Sequence, residues 1–315
     1  MKINHFTLII MGIILLAMNG CHSVSPLEEG TGYLETSQGK VWYRIVGKST
    51  QIPLLVLHGG PGVSSDYLRP MDALGKDRKV IYYDQLGSGR SDTIKDTALM
   101  TVDFYVEELY EVVQNLGLKE FYLYGQSWGS ALAISYYLKH PEGIKALIFS
   151  SPVLSTKLWI RDSEKLIATL PDSLQQAIHI NEQRQTYDHP DYLNAVNYYY
   201  QKYVVRKTPW SEDLQTSFSA VGPAYAYMWG PSEFTATGEL KTFDCTSRLH
   251  EVAVPTLFLT GEFDEALPTT VQYYQSLVPR AKFALIHGAA HVTMHDNPEE
   301  HNRCIEEFLD TIERK

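Results

Sequence analysis

A serine between flanking glycines, set where an apolar strand passes into a helix, can act as a nucleophile, and Tyr124-Gly125-Gln126-Ser127-Trp128-Gly129 has that form. The sharp turn holds Ser127 in a strained conformation with its hydroxyl exposed, and the glycines two residues to either side let the backbone close up. The plain alternative is a serine that merely caps the helix. A serine hydroxyl is a poor nucleophile at neutral pH, so a base must take its proton and a carboxylate must orient that base. Where a strand–serine–helix turn carries such a triad, the chain order is Ser, Asp, His. Gly261-Glu262-Phe263-Asp264-Glu265 places Asp264 in the loop after one apolar run, and His287-Gly288-Ala289-Ala290-His291-Val292-Thr293-Met294-His295 follows the next. His287 stands at a strand end and His295 near the final helix, so His291, in mid-loop, is the expected base. The four-residue spacing of these histidines also invites a metal reading. The segment lacks the glutamate of a zinc helix and is broken by glycine, so neither metal nor cofactor is expected.

A tetrahedral intermediate needs backbone N–H donors, one from the residue after the nucleophile and one from a loop after an early strand. Trp128 supplies the first. His58-Gly59-Gly60-Pro61-Gly62 fits the second role, through Gly60 or, as the near alternative, Gly59. No Lys-Ser or Lys-Thr follows this loop, as a phosphate cradle would require, and Gly87-Ser88-Gly89 fails the dinucleotide pattern because Asp92 replaces the third glycine. Asp84 to Ser91 is expected to be a structural loop beneath the site.

These residues require a scaffold of strands whose carboxyl ends meet. Apolar runs at Lys40–Val46, Leu54–Leu57, Lys79–Tyr83, Phe121–Tyr124, Ala146–Phe149, Thr256–Thr260 and Lys282–Ile286 read as strands, several of them buried on both faces. Helical stretches alternate with them, including Val102–Leu116 before Gly117 and Ser130–Lys139 before Pro141. This is the pattern of an α/β fold, a mostly parallel sheet flanked by helices. The rhythm breaks over 152–248, which is rich in Tyr, Gln and Asp, has helical spacing from Tyr192 to Val204, and contains no apolar strand run. That insertion is expected to be a helical cap domain over a core made of 31–151 and 249–315.

The chain of 315 residues is 44% hydrophobic, enough for a large core, and its net charge of −10 argues against a sequence-independent grip on nucleic acid. Its 21 tyrosines and 5 tryptophans exceed what packing alone asks for, so some are expected to line a cleft. The first 21 residues differ from the rest: Lys2, an apolar stretch from Phe6 to Met18, then Asn19, Gly20 and Cys21. The stretch is short for a membrane span and suits the core of a signal peptide. A cysteine after a small residue resembles the lipobox of bacterial lipoproteins, with Cys21 lipidated, 22–30 a tether, and the protein exported and anchored to a membrane of the cell envelope. Plain secretion and an uncleaved anchor are the alternatives. Cys245 and Cys304 are a possible pair but no disulfide framework.

With these pieces placed, the chain resembles the proline iminopeptidase family of α/β-hydrolases, and within it the tricorn-interacting aminopeptidase branch. The motifs are HGGPG at His58, DQLGSGRS at Asp84, GQSWGS at Gly125, GEFDE at Gly261 and GAAHVTM at Gly288, with YAYMWGPSEF from Tyr225 and HPDYLNAVNYYY from His189 in the cap. Leu86 departs from the arginine that many bacterial members carry. The resemblance implies removal of an N-terminal residue, often proline, from short peptides, with two glutamates binding the free amino group. By motif these fall on Glu233 and Glu265, and Tyr225 matches an aromatic position near the substrate. Physical reasoning points the same way. Glu265 adjoins Asp264 and lies close to the cleft, where paired carboxylates are costly unless a cation arrives. For Glu233 a solvated surface position is the alternative.

Fold and triad do not fix the substrate, so an esterase, lipase or amide hydrolase acting on small neutral substrates is the rival reading. Such an enzyme has no use for two carboxylates around its acyl pocket. Ser127 excludes the aspartate-nucleophile members, and a non-catalytic binding protein on this scaffold would be expected to lose a triad member, whereas none is missing.

Overall fold

The computed structural model describes residues 27–314. The apolar leader and Cys21 lie outside the described residues. An eight-stranded sheet organises the chain in the order β1-β2-β4-β3-β5-β6-β7-β8, built from β1 (Gly30–Thr36), β2 (Gly39–Val46), β3 (Leu54–Leu57), β4 (Val80–Tyr83), β5 (Phe121–Gln126), β6 (Ile144–Ser150), β7 (Thr256–Gly261) and β8 (Lys282–Ile286). β1 and β2 run antiparallel at one edge, and every pairing from β4 to β8 is parallel. The carboxyl ends of β3, β5, β6, β7 and β8 therefore open on the same side of the sheet. β1 was not expected. It is an edge strand whose residues are exposed or half-buried, so GTGYLET carries no apolar run to mark it, and it starts at Gly30, placed by the sequence reading at the end of a tether.

The central strands read as unbroken apolar runs because both faces are covered. Leu55, Leu57, Ile81, Tyr83, Leu147 and Phe149 enter one core, and Leu54, Val56, Val80, Tyr82, Ala146 and Ile148 enter the other. The first core lies under α1 (Val102–Asn115) and α2 (Trp128–Lys139). α1 opens on Thr101, whose side chain accepts the Phe104 N–H at 3.2 Å, and the chain leaves it through Gly117 at φ 64°.

Between β6 and β7 the chain forms α3 (Thr156–Ile167), α4 (Asp172–Arg184), α5 (Pro190–Tyr203) and α6 (Glu212–Ser219), then a π-turn at Tyr225–Trp229 and 3₁₀ turns. Only isolated bridges, Ser155 with Asp244 and Ser232 with Thr235, interrupt this helical character among the described residues. α7 (Pro268–Leu277) joins the first core through Val271 and Tyr274. After β8, the short α8 (Thr293–Asp296) leads to α9 (Pro298–Glu313), which buries Ile305, Phe308 and Leu309 in the second core. No helix among the described residues is long and apolar enough to cross a membrane. Cys245 and Cys304 are both free, with Cys245 buried against the Leu154 carbonyl.

Candidate active site

The turn from β5 into α2 has the strain that its sequence demands. Ser127 sits at φ 53°, in the left-handed region that non-glycine residues avoid. A side chain at Gly125 would come within 2.2 Å of the Gly129 carbonyl oxygen, and one at Gly129 within 2.4 Å of the Leu57 carbonyl oxygen, so only glycine permits the close approach. Although Ser127 holds the position of a helix cap, its side chain makes no capping hydrogen bond. Its hydroxyl lines a cavity of about 300 Å³ together with Gly60, Tyr225, Glu233, Glu265 and His291. Of the catalytic and substrate-binding residues singled out by sequence, Ser127, Gly60, Tyr225, Glu233, Glu265 and His291 thus meet in one place, while Asp264, Gly59 and Trp128 do not line it.

His291 and Asp264 are joined by a 2.9 Å contact between Nδ1 and Oδ1. Asp264 is fully buried and well supplied with donors. Oδ2 accepts from Ser151 Oγ (2.6 Å), Thr260 Oγ1 (2.8 Å) and Gly261 N (3.0 Å), and Oδ1 from Ala266 N (2.8 Å). A carboxylate so ringed stays an acceptor, which assigns the Nδ1 proton to the imidazole and leaves Nε2 with the free electron pair. The neighbouring histidines have other work. His287 pairs with Glu300 (2.9 Å), and His295 Nε2 donates to the Tyr67 carbonyl (2.6 Å).

The Gly60 and Trp128 N–H groups donate to nothing among the described residues, as a site for a developing oxyanion requires. Gly59 must be set aside: its N–H is already given to the Tyr67 hydroxyl at 2.7 Å. Tyr67 in turn donates to Gln126 Oε1 (2.7 Å), which ties the glycine loop to the nucleophile turn. The loop beneath adds Gln85, whose Oε1 accepts from Trp128 Nε1 (2.8 Å) and whose backbone N–H donates to His58 Nε2 (2.9 Å). Sequence reasoning missed Tyr67, which belongs to no motif, and placed Gln85 only as part of the structural loop 84–91, without its partners.

Glu265 is buried and Glu233 half-buried. Glu233 accepts from the Tyr225 hydroxyl at 2.9 Å, whereas Glu265 Oε2 is buried with no hydrogen bond and Oε1 lies 3.8 Å from His291 Nε2. Burial holds the Glu265 carboxyl well above the usual carboxylate range, and the charges of Glu233 and Asp264 push it the same way. Burial also raises Glu233, against the Tyr225 hydrogen bond that favours its ionised form. Neither carboxyl has a lysine or arginine partner among the described residues, so the cavity presents an acid pair without a cation. The Trp159 ring stands edge-on to His291, with centroids 5.4 Å apart, and its indole N–H is unpartnered.

Comparison with known proteins agrees with this architecture. The alpha/beta hydrolase fold family matches residues 52–298. The chain is 42% identical over 284 residues to a proline iminopeptidase of Heyndrickxia coagulans, covering 89% of this chain and 99% of the relative. Among solved structures it is similar to VinJ (TM-score 0.86, 32% identity, 90% of this chain and 99% of the other). It is similar as well to the proline iminopeptidase of Mycobacterium smegmatis (TM-score 0.84, 31% identity, 90% and 98%). The chain belongs to the proline iminopeptidase family of α/β-hydrolases.

Proposed function

We propose that the protein is a serine aminopeptidase that releases N-terminal residues, preferentially proline, from short peptides through an acyl-enzyme intermediate. The observation that carries this reading is the acid pair, Glu233 and Glu265, in the same cavity as Ser127 and His291, with Glu265 Oε2 buried and unpartnered. A substrate ammonium is the cation such a pair lacks, and the names of the relatives point to the same substrate class.

In this mechanism the ammonium enters between the two carboxyls and Tyr225 holds Glu233 in place. Ser127 Oγ attacks the carbonyl of the first residue as its proton passes to His291 Nε2, and Asp264 stabilises the resulting imidazolium. The Gly60 and Trp128 N–H groups receive the oxyanion. His291 then gives its proton to the departing amine, the C–N bond breaks, and the acyl group remains on Ser127. Water, deprotonated by His291, attacks the ester, and the proton returns to Ser127 as the free amino acid leaves. A panel of aminoacyl amides differing only in the first residue tests the substrate claim: the proline amide is expected to have the highest kcat/KM, and a flat profile would overturn the preference.

Residues 152–248 are proposed to form a cap over the site, and the exported, lipid-anchored state is proposed on the leader alone, from the apolar stretch Phe6–Met18 and the Cys21 that follows Asn19 and Gly20. Expression in a bacterium is expected to place the wild-type chain with the membranes and to release Cys21→Ser or stall its processing. Wild-type protein found free of membranes would overturn the anchor.

A further inference from the structure

The His291 loop is held from a point outside the triad. Where β6 ends, Ser151 adopts φ 46°, a conformation that is strained for a non-glycine residue and persists only where its surroundings impose it. Its N–H crosses to the Leu259 carbonyl of β7 (2.8 Å), and its fully buried hydroxyl faces two acceptors, Asp264 Oδ2 at 2.6 Å and the main-chain carbonyl of His291 at 3.0 Å. These contacts close a ring. Asp264 Oδ1 meets the imidazole Nδ1, the imidazole leads through its own backbone to the His291 carbonyl, the carbonyl meets Ser151 Oγ, and Oγ returns to Asp264 Oδ2. The carbonyl has one other donor, Gln126 Nε2 at the longer distance of 3.3 Å, and the His291 N–H is bound on the far side by the Tyr203 carbonyl at 3.1 Å.

We propose that Ser151 is a positioning residue of the reaction: by tying the Asp264 carboxylate to the main chain of His291, it fixes the direction in which the imidazole meets Ser127. The proposal rests on the triad reading and adds to it a residue 113 positions from Asp264 in the chain. Opening the ring leaves the imidazole anchored at Nδ1 and the His291 carbonyl held by the longer Gln126 contact alone, which loosens the imidazole's placement, and a misplacement of about 1 Å at a reacting group costs on the order of 100-fold in rate.

The experiment compares Ser151→Ala and Ser151→Gly with the wild type, using a small neutral ester so that the Glu233–Glu265 pair takes no part in substrate recognition. Glycine accepts φ 46° without strain, so Ser151→Gly removes the hydroxyl while relieving the backbone. Both variants are expected to fold, with kcat reduced roughly 10- to 100-fold and KM nearly unchanged. Wild-type kcat in Ser151→Gly, a loss carried by KM rather than by kcat, or failure of both variants to fold would overturn the proposal. Ser127→Ala, run alongside, separates the two readings: substantial activity there sinks the triad itself, whereas an inactive Ser127→Ala beside a fully active Ser151→Gly sinks only the role of Ser151.

Discussion

Asp264 and Glu265 are adjacent in the chain, yet the first carboxyl is ringed by donors from Ser151, Thr260, Gly261, Ala266 and His291, while the second has a buried oxygen with no partner. One carboxylate is stabilised for steady service to the histidine. The other is left without a cation among the described residues.

That contrast sets the protonation of the empty site. Because burial and like charge raise Glu265, and burial raises Glu233, the acid pair holds its protons to higher pH than free carboxyls do, and an arriving ammonium favours the ionised form. Binding of prolinamide to Ser127→Ala protein is therefore expected to release protons, with less release as the pH rises and the pair ionises unaided. Calorimetry in buffers of different ionisation enthalpy measures this directly; a binding heat independent of the buffer would contradict it.

Ser127→Ala is expected to remove about 10⁴- to 10⁶-fold of kcat while leaving stability within about 0.5 kcal/mol. The side chain makes no capping bond, and alanine inherits the same backbone strain, so nothing that holds the fold is lost. Residual activity above about a tenth of wild type would move the nucleophile elsewhere.

A second buried acid, Glu108 of α1, accepts the Leu86 N–H at 2.9 Å and has its other oxygen unpartnered; burial raises it to about 8. The folded state then holds a proton that the unfolded chain releases above the usual glutamate range, so this group lowers stability as pH rises from about 5 to about 8 and has no further effect beyond. Glu108→Gln copies the protonated acid. Its stability relative to wild type is expected to grow by up to about 1.4 kcal/mol per pH unit across that window. Urea unfolding of both proteins at several pH values checks this, and a constant difference would contradict it.

The strands that proved legible are those with a continuous apolar run: the fully buried Leu54–Leu57 and the half-buried edge strand Lys282–Ile286 have the bounds expected of them, and the buried Phe121–Tyr124 extends only to Gln126. The exposed edge strand β1 escaped because its partner, β2, supplies what its own residues do not signal. At the site, the residues proposed from strand–loop context are found close together: Ser127 and His291 line one cavity and Asp264 contacts His291. The commitment of Gly59 to Tyr67 and the bridge made by Ser151 were not legible. The first is a local contact between residues eight apart and the second joins Ser151 to residues 113 and 140 positions away, and neither a lone tyrosine nor a serine after a strand has a sequence pattern that announces it.

The most direct measurement compares kcat/KM for one proline amide with a free and with an acetylated N-terminus, in the wild type and in Glu265→Gln. The free ammonium gains charge-assisted hydrogen bonds from Glu233 and Glu265, whereas the acetyl group leaves buried carboxyls unpaired. The free substrate is expected to be preferred by about 30-fold to several thousand-fold in the wild type, with much of that preference lost in Glu265→Gln. Equal values for the two substrates in the wild type would show that neither glutamate reads the amino group, and would contradict the aminopeptidase account.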